Sequence, residues 1–97
     1  MKQPTTQQIV EKIADDYRRA GKALAHAAER NGGMSGFMNQ ANMDADAEAI
    51  MAAYNAGNFE NVPASDVDKL MEKYGSADIY HLTASYFTST GKILNVE

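Results

Sequence analysis

Cysteine is absent from these 97 residues, and with it any disulfide framework or thiolate metal site. Tryptophan is absent too, proline occurs only as Pro4 and Pro63, and no apolar stretch approaches the roughly 20 residues that span a bilayer. The opening MKQPTTQQ has no apolar run after its lysine, so no secretory signal is expected and the cytoplasm is the expected location. Histidine is scarce: His26 and His81 stand far apart, and no HxxxH spacing offers a metal ligand set. There is no thiol nucleophile, and no serine or threonine is tied by pattern to a base and an orienting acid. Catalysis, a metal and a cofactor are therefore not expected. NGGMSG lacks the lysine and the flanking strand of a phosphate loop.

One more absence is the most informative. Residues 31–68 contain no lysine or arginine, yet hold Asp44, Asp46, Glu48, Glu60, Asp66 and Asp68. Residues 1–30 hold six basic and four acidic side chains, and residues 69–97 hold three of each, which together give the net charge of −4. The chain is thus an electrostatic dipole in sequence, basic first and acidic in the middle.

What is present reads as one helical domain, residues 1–97, with a small core. A chain of this length buries about 60–65% of its unfolded surface. Ile9, Ile13, Tyr17, Ala20, Leu24 and Ala27 recur at steps of three and four, one apolar stripe of a long helix. Thr5 or Thr6 caps it after Pro4, and Asn31-Gly32-Gly33 ends it. Gly21 inside that helix marks close packing, since glycine is otherwise unfavourable there.

Residues 31–43, rich in glycine and asparagine, read as a loop in which Met34, Phe37, Met38 and Met43 seek burial or form an apolar contact patch. A second helix is expected from about Asp44 to Ala56, its first turns crowded with acids that suit the helix dipole. NFENVPAS is a connector anchored by Phe59 and Val62. Ser65 with Asp68 resembles a capping box for a third helix carrying Val67, Leu70, Met71 and Tyr74. Ser76 caps a fourth helix, running to about Thr88, with KILNVE as a strap. The fold class is all-α, an irregular bundle of about four helices; the alternative is α+β with a C-terminal β-hairpin at 79–96.

Three motifs are matched only in part. Residues 65–88 have helix–turn–helix spacing, but residues 76–91 contain no lysine or arginine to meet phosphates. DADAE, Asp44 to Glu48, resembles the start of a calcium loop, yet Ala49 and Asn55 stand where glycine and a bidentate glutamate are needed. Gly36-Phe37 and Gly57-Asn58 with Glu60 resemble loops of the ubiquitin-associated domain. The gap from Phe37 to Gly57 is several residues too long for it, and Pro63 falls where its third helix should already be under way.

Two charged features remain. Arg18, Lys22, His26 and Arg30, four apart with Arg19 alongside, form a column that drifts slowly around one helix face. Asp15 and Glu29 dilute its field, so a solvated face is expected, with contact to nucleic-acid phosphates the alternative. The acidic middle is only half explained by helix capping. If Asp44, Asp46, Glu48, Glu60, Asp66 and Asp68 share a surface, it steers the protein toward a basic partner. The expected function is that of a non-enzymatic interaction protein with no membrane association. It would inhibit or decoy a nucleic-acid-handling partner by occupying its basic surface, by analogy of size and charge with phage and mobile-element proteins that block host defences. A small nucleic-acid-binding or regulatory protein is the first rival, and a homo-oligomeric structural subunit the second.

Overall fold

The computed structural model describes residues 4–31 and 35–97, with side chains described over 4–27 and 40–97. Among them the chain forms four α-helices and two short strands. These are α1 (Thr6–Asn31), α2 (Ser35–Asn55), β1 (Phe59–Val62), α3 (Val67–Tyr74), α4 (Ile79–Thr90) and β2 (Ile93–Val96), with a 3-10 turn at Ala64–Asp66 leading into α3. The small helical bundle is therefore observed, with a strand at its C-terminal side.

α1 begins where Thr5 and Gln8 cap each other. The Gln8 amide donates to Thr5 Oγ1 at 3.1 Å, and the Thr5 amide donates to Gln8 Oε1 at 2.9 Å. This reciprocal pair satisfies two of the otherwise orphaned amides of the first turn. The apolar stripe then buries Ile9, Val10, Ile13 and Ala14.

α2 starts nine residues before the expected Asp44, so Ser35–Met43 is helix rather than loop. The cause is tertiary. α1 and α2 run antiparallel as a hairpin, and Gly21 lets their backbones approach. A Cβ at Gly21 would lie 3.2 Å from Met43 Cβ and 3.3 Å from the Cα of Gln40. Packing along that seam overrides the weak propensities of glycine and asparagine. Gly36-Phe37 thus lies in a helix, which removes the loop on which the likeness to a ubiquitin-associated domain depended. Gly57, at φ 74°, then closes α2: Asn58 N–H reaches Ala53 O and Gly57 N–H reaches Tyr54 O.

The connector NFENV is a strand. β1 pairs with β2 in parallel, Phe59 beside Ile93 through Val62 beside Val96. Parallel strands need a crossover, which α3 and α4 provide. No hairpin forms at 79–96: residues 79–90 are helix, and the strand beyond them finds its partner upstream. Ile93 fills the core between α1 and α2 with Ile50, Ala47 and Ala53, while Leu82 of α4 and Leu94 of β2 are also buried. Phe59 leans on the Tyr54 ring, centroids 5.5 Å apart. The N-terminal hydroxyl of this arrangement is also tied down: Thr6 Oγ1 donates to Asn95 Oδ1 at 2.6 Å, and Asn95 Nδ2 donates to Asn61 Oδ1 at 2.8 Å.

Both expected caps of the later helices move. Ser65 lies in the 3-10 turn, and Asp66 holds the N-cap of α3 without a side-chain hydrogen bond. Asp78, not Ser76, caps α4, accepting from the His81 amide at 2.9 Å. α3 is only half covered and has no fully buried residue.

Candidate functional site

The early start of α2 changes the meaning of its acids. Asp44, Asp46 and Glu48 sit mid-helix, and the first turn of α2 carries no acid, so the helix dipole does not account for them. At about 100° per residue, Asp44 and Glu48 fall on one flank of α2, and Asp46 about 200° from each, on the other. Between the flanks lies an outer face of exposed alanines, Ala41, Ala45, Ala49 and Ala52. The opposite side holds Met43, Ala47 and Ile50 against α1. The surface is therefore a strip of small residues with a carboxylate border on either side.

Asp46 and Glu48 are exposed and Asp44 is half-buried. None of the ion pairs among the described residues involves them. Asp46 reaches electrostatically toward α1: the Tyr17 phenol is pushed above its ordinary pKa mainly by burial, and secondarily by the Asp46 charge.

The remaining acids do not join this strip. Glu60, on β1, faces Lys92 with a 3.6 Å ion pair. It lies beside Tyr86, whose phenol is raised first by burial, then by Glu60 and Tyr74; the two tyrosine rings meet edge to face at 5.9 Å. Asp66 and Asp68 belong to the start of α3, and Asp68 lies near Thr5 and Ile9. Tyr17, beside Asp46, is eight residues further along α1 than Ile9, about 12 Å at 1.5 Å per residue. The six-residue acidic face thus reduces to Asp44, Asp46 and Glu48.

The basic column is solvated, as a helix face opposite an apolar stripe should be. Arg18, Arg19, Lys22 and His26 are exposed. Arg19 is held by Asp15 at 2.8 Å and Lys12 by Asp16 at 3.0 Å, both one turn apart. Such exposed pairs contribute little to stability. Of the apolar contact patch, Met43 is half-buried against Gly21. Met34 lies outside the described residues, as do the side chains of Phe37, Met38 and Arg30.

One cluster is invisible to sequence spacing. Lys12 lies 5.2 Å from the centroid of the Tyr80 ring, and Asp16, Asp78 and His81 stand around the same shallow depression. His81 is exposed, and its Nδ1 is 2.9 Å from each Asp78 carboxylate oxygen. The His81 amide first, and its ring second, hold the Asp78 carboxyl below the ordinary range. Asp78, with His81 against it, caps the first turn of α4. Among the described residues no three His, Cys, Asp or Glu side chains gather to hold a metal, and no helix is long and apolar enough to cross a membrane. No family model matches the chain, and neither a curated protein nor a solved structure matches it.

Proposed function

We propose that this is a non-enzymatic binding protein that inhibits or decoys a nucleic-acid-handling partner by laying the outer face of α2 on the partner's basic surface. The observation that carries this reading is the bordered strip itself: exposed alanines that permit close approach, flanked by Asp44 and Glu48 on one side and Asp46 on the other. Small residues let another backbone come near, and carboxylates without a lysine or arginine partner among the described residues favour cations on another chain. The same charges oppose self-pairing, because two α2 helices laid face to face would set carboxylates against carboxylates.

The test is charge reversal. Asp44→Lys, Asp46→Lys and Glu48→Lys together remove three ion pairs with the partner at about 0.5 kcal/mol each, weakening partner capture by at least about ten-fold. Reversal also flattens the salt dependence of elution. Capture unchanged by the triple substitution sinks the electrostatic argument. A gel shift with bare DNA or RNA at low salt separates this reading from its rival. Retardation lost on Arg18→Ala with Lys22→Ala transfers the function to the α1 column.

A further inference from the structure

A groove of about 560 Å³ runs between the start of α1 and α3, within the size range of ligand clefts. Its floor is Leu94 and Val96 of β2, and its walls are Ile9 on one side and Val67 with Met71 on the other. Met71 and Val67 belong to the helix that buries none of its residues, so this part of the apolar stripe of α3 faces the groove instead of a core. No described residue of α2 lines it, which separates it from the alanine strip.

The floor is also an unpaired strand edge. Ile93 N–H donates to Asn58 O and Glu97 N–H to Val62 O, so the odd-numbered residues of β2 face β1. By the alternation of a parallel ladder, the amides and carbonyls of Leu94 and Val96 point to the other side. Among the described residues neither amide has a hydrogen-bond partner. Leu94 is 1% exposed, and a buried backbone donor without a partner is rare in folded proteins. Among the described residues, the charged side chains at the groove are Asp68 and Glu97, both acidic.

We infer that this groove takes an extended peptide segment of a partner as a third strand on β2, with apolar side chains between α1 and α3 and a lysine or arginine toward Asp68 and Glu97. A strand edge recognises the backbone of an extended chain, the apolar walls select its side chains, and the two carboxylates set its charge. A helix would leave the Leu94 and Val96 amides unsatisfied. A second copy would bring Glu97 and Asp68 against their own kind.

The experiment uses the full chain, isotope-labelled for NMR, and the blocked pentapeptide Lys-Val-Ile-Val-Lys. In the free protein the Leu94 and Val96 amides should exchange with solvent faster than those of Ile93 and Asn95. Adding the peptide should shift Leu94 and Val96 saturably and slow their exchange. A peptide N-methylated at its central residues should bind about ten-fold more weakly, having lost its ladder hydrogen bonds. Asp68→Lys, an exposed change that spares the core, should weaken binding about three-fold. The inference fails if no saturable shift occurs, or if the N-methylated peptide binds equally well. It fails also if the two amides are already protected in the free chain. Protection in the monomer would assign the edge to residues 1–3 of the same chain, and protection that rises with a sedimenting dimer would assign it to a second copy.

Discussion

Consider replacing Gly21 by alanine. In an exposed helix interior this change stabilises by about 1 kcal/mol, because alanine has the better helix propensity. Here the new methyl would meet Met43 Cβ at 3.2 Å and the Cα and Cγ of Gln40 at 3.3 Å. Carbon contacts are comfortable at about 3.5–4.0 Å. The Gln40 Cγ can swing away, but Gln40 Cα and Met43 Cβ move only with the α2 backbone. The helices must therefore separate by a few tenths of an ångström along their seam. Overpacking of this kind costs about 1–3 kcal/mol, which after the propensity gain leaves a net loss centred near 1 kcal/mol. For a domain of this size that lowers Tm by about 4–8 °C. Gly21→Val, with a branched side chain and little propensity gain, should lose at least about 2 kcal/mol. Thermal and urea melts followed by helical circular dichroism measure both, with the exposed Ala23→Gly reporting propensity alone in the same helix. If Gly21→Ala raises stability by the full propensity gain and Gly21→Val is harmless, the close seam does not exist in solution. The placement of the α2 acids would fall with it.

Other outcomes follow from the same geometry. Asp78→Ala removes the α4 cap and should cost about 1 kcal/mol, while Asp78→Asn, which keeps an acceptor, should lose less; urea midpoints compare them. Because the Asp78 carboxyl is held below its ordinary pKa of 3.8, its contribution is present above that pH and disappears as pH falls through the lower, folded value. The wild type should therefore lose an acid-range increment of stability that Asp78→Ala lacks. Ile50→Ala, at a fully buried position in the α1–α2–β2 core, should cost about 2–5 kcal/mol in denaturant melts; a loss below 1 would contradict the packing. Asp46→Asn should lower the raised Tyr17 pKa, read from tyrosinate absorbance against pH. Tyr17 itself contributes stability that is whole below the ordinary tyrosine pKa and fades as pH rises through the folded one.

The parts legible in sequence were those fixed by local pattern. α1 announces itself through the stripe from Ile9 to Ala27, and Gly21 announced a close contact because nothing else explains a glycine there. The first half of α2 was hidden because its apolar and polar residues are not segregated and its glycine and asparagines oppose helix; only the α1 surface settles the matter. β1 and β2, four residues each, look like any connector, since parallel pairing is set by partners 34 residues apart, as in Asn61 with Asn95. The acid run was plain, but its division depended on helix register, which puts Asp46 across α2 from Asp44 and Glu48, and on strand pairing, which gives Glu60 to Lys92. The groove edge was invisible for the same reason as the strands.

That late pairing has a consequence for synthesis. α1 and α2 contact each other early in the chain and have what they need to collapse while translation continues, whereas Ile93 and Leu94 emerge after every other helix and strand described. Until they leave the ribosome, Val10 and Ile50 lack their last cover, and the nascent protein is a helical arm with an open base. Closure is then a single long-range step, the slowest kind for a small chain, so a stall or cleavage just before Ile93 should release a sticky, open set of helices in place of a folded product.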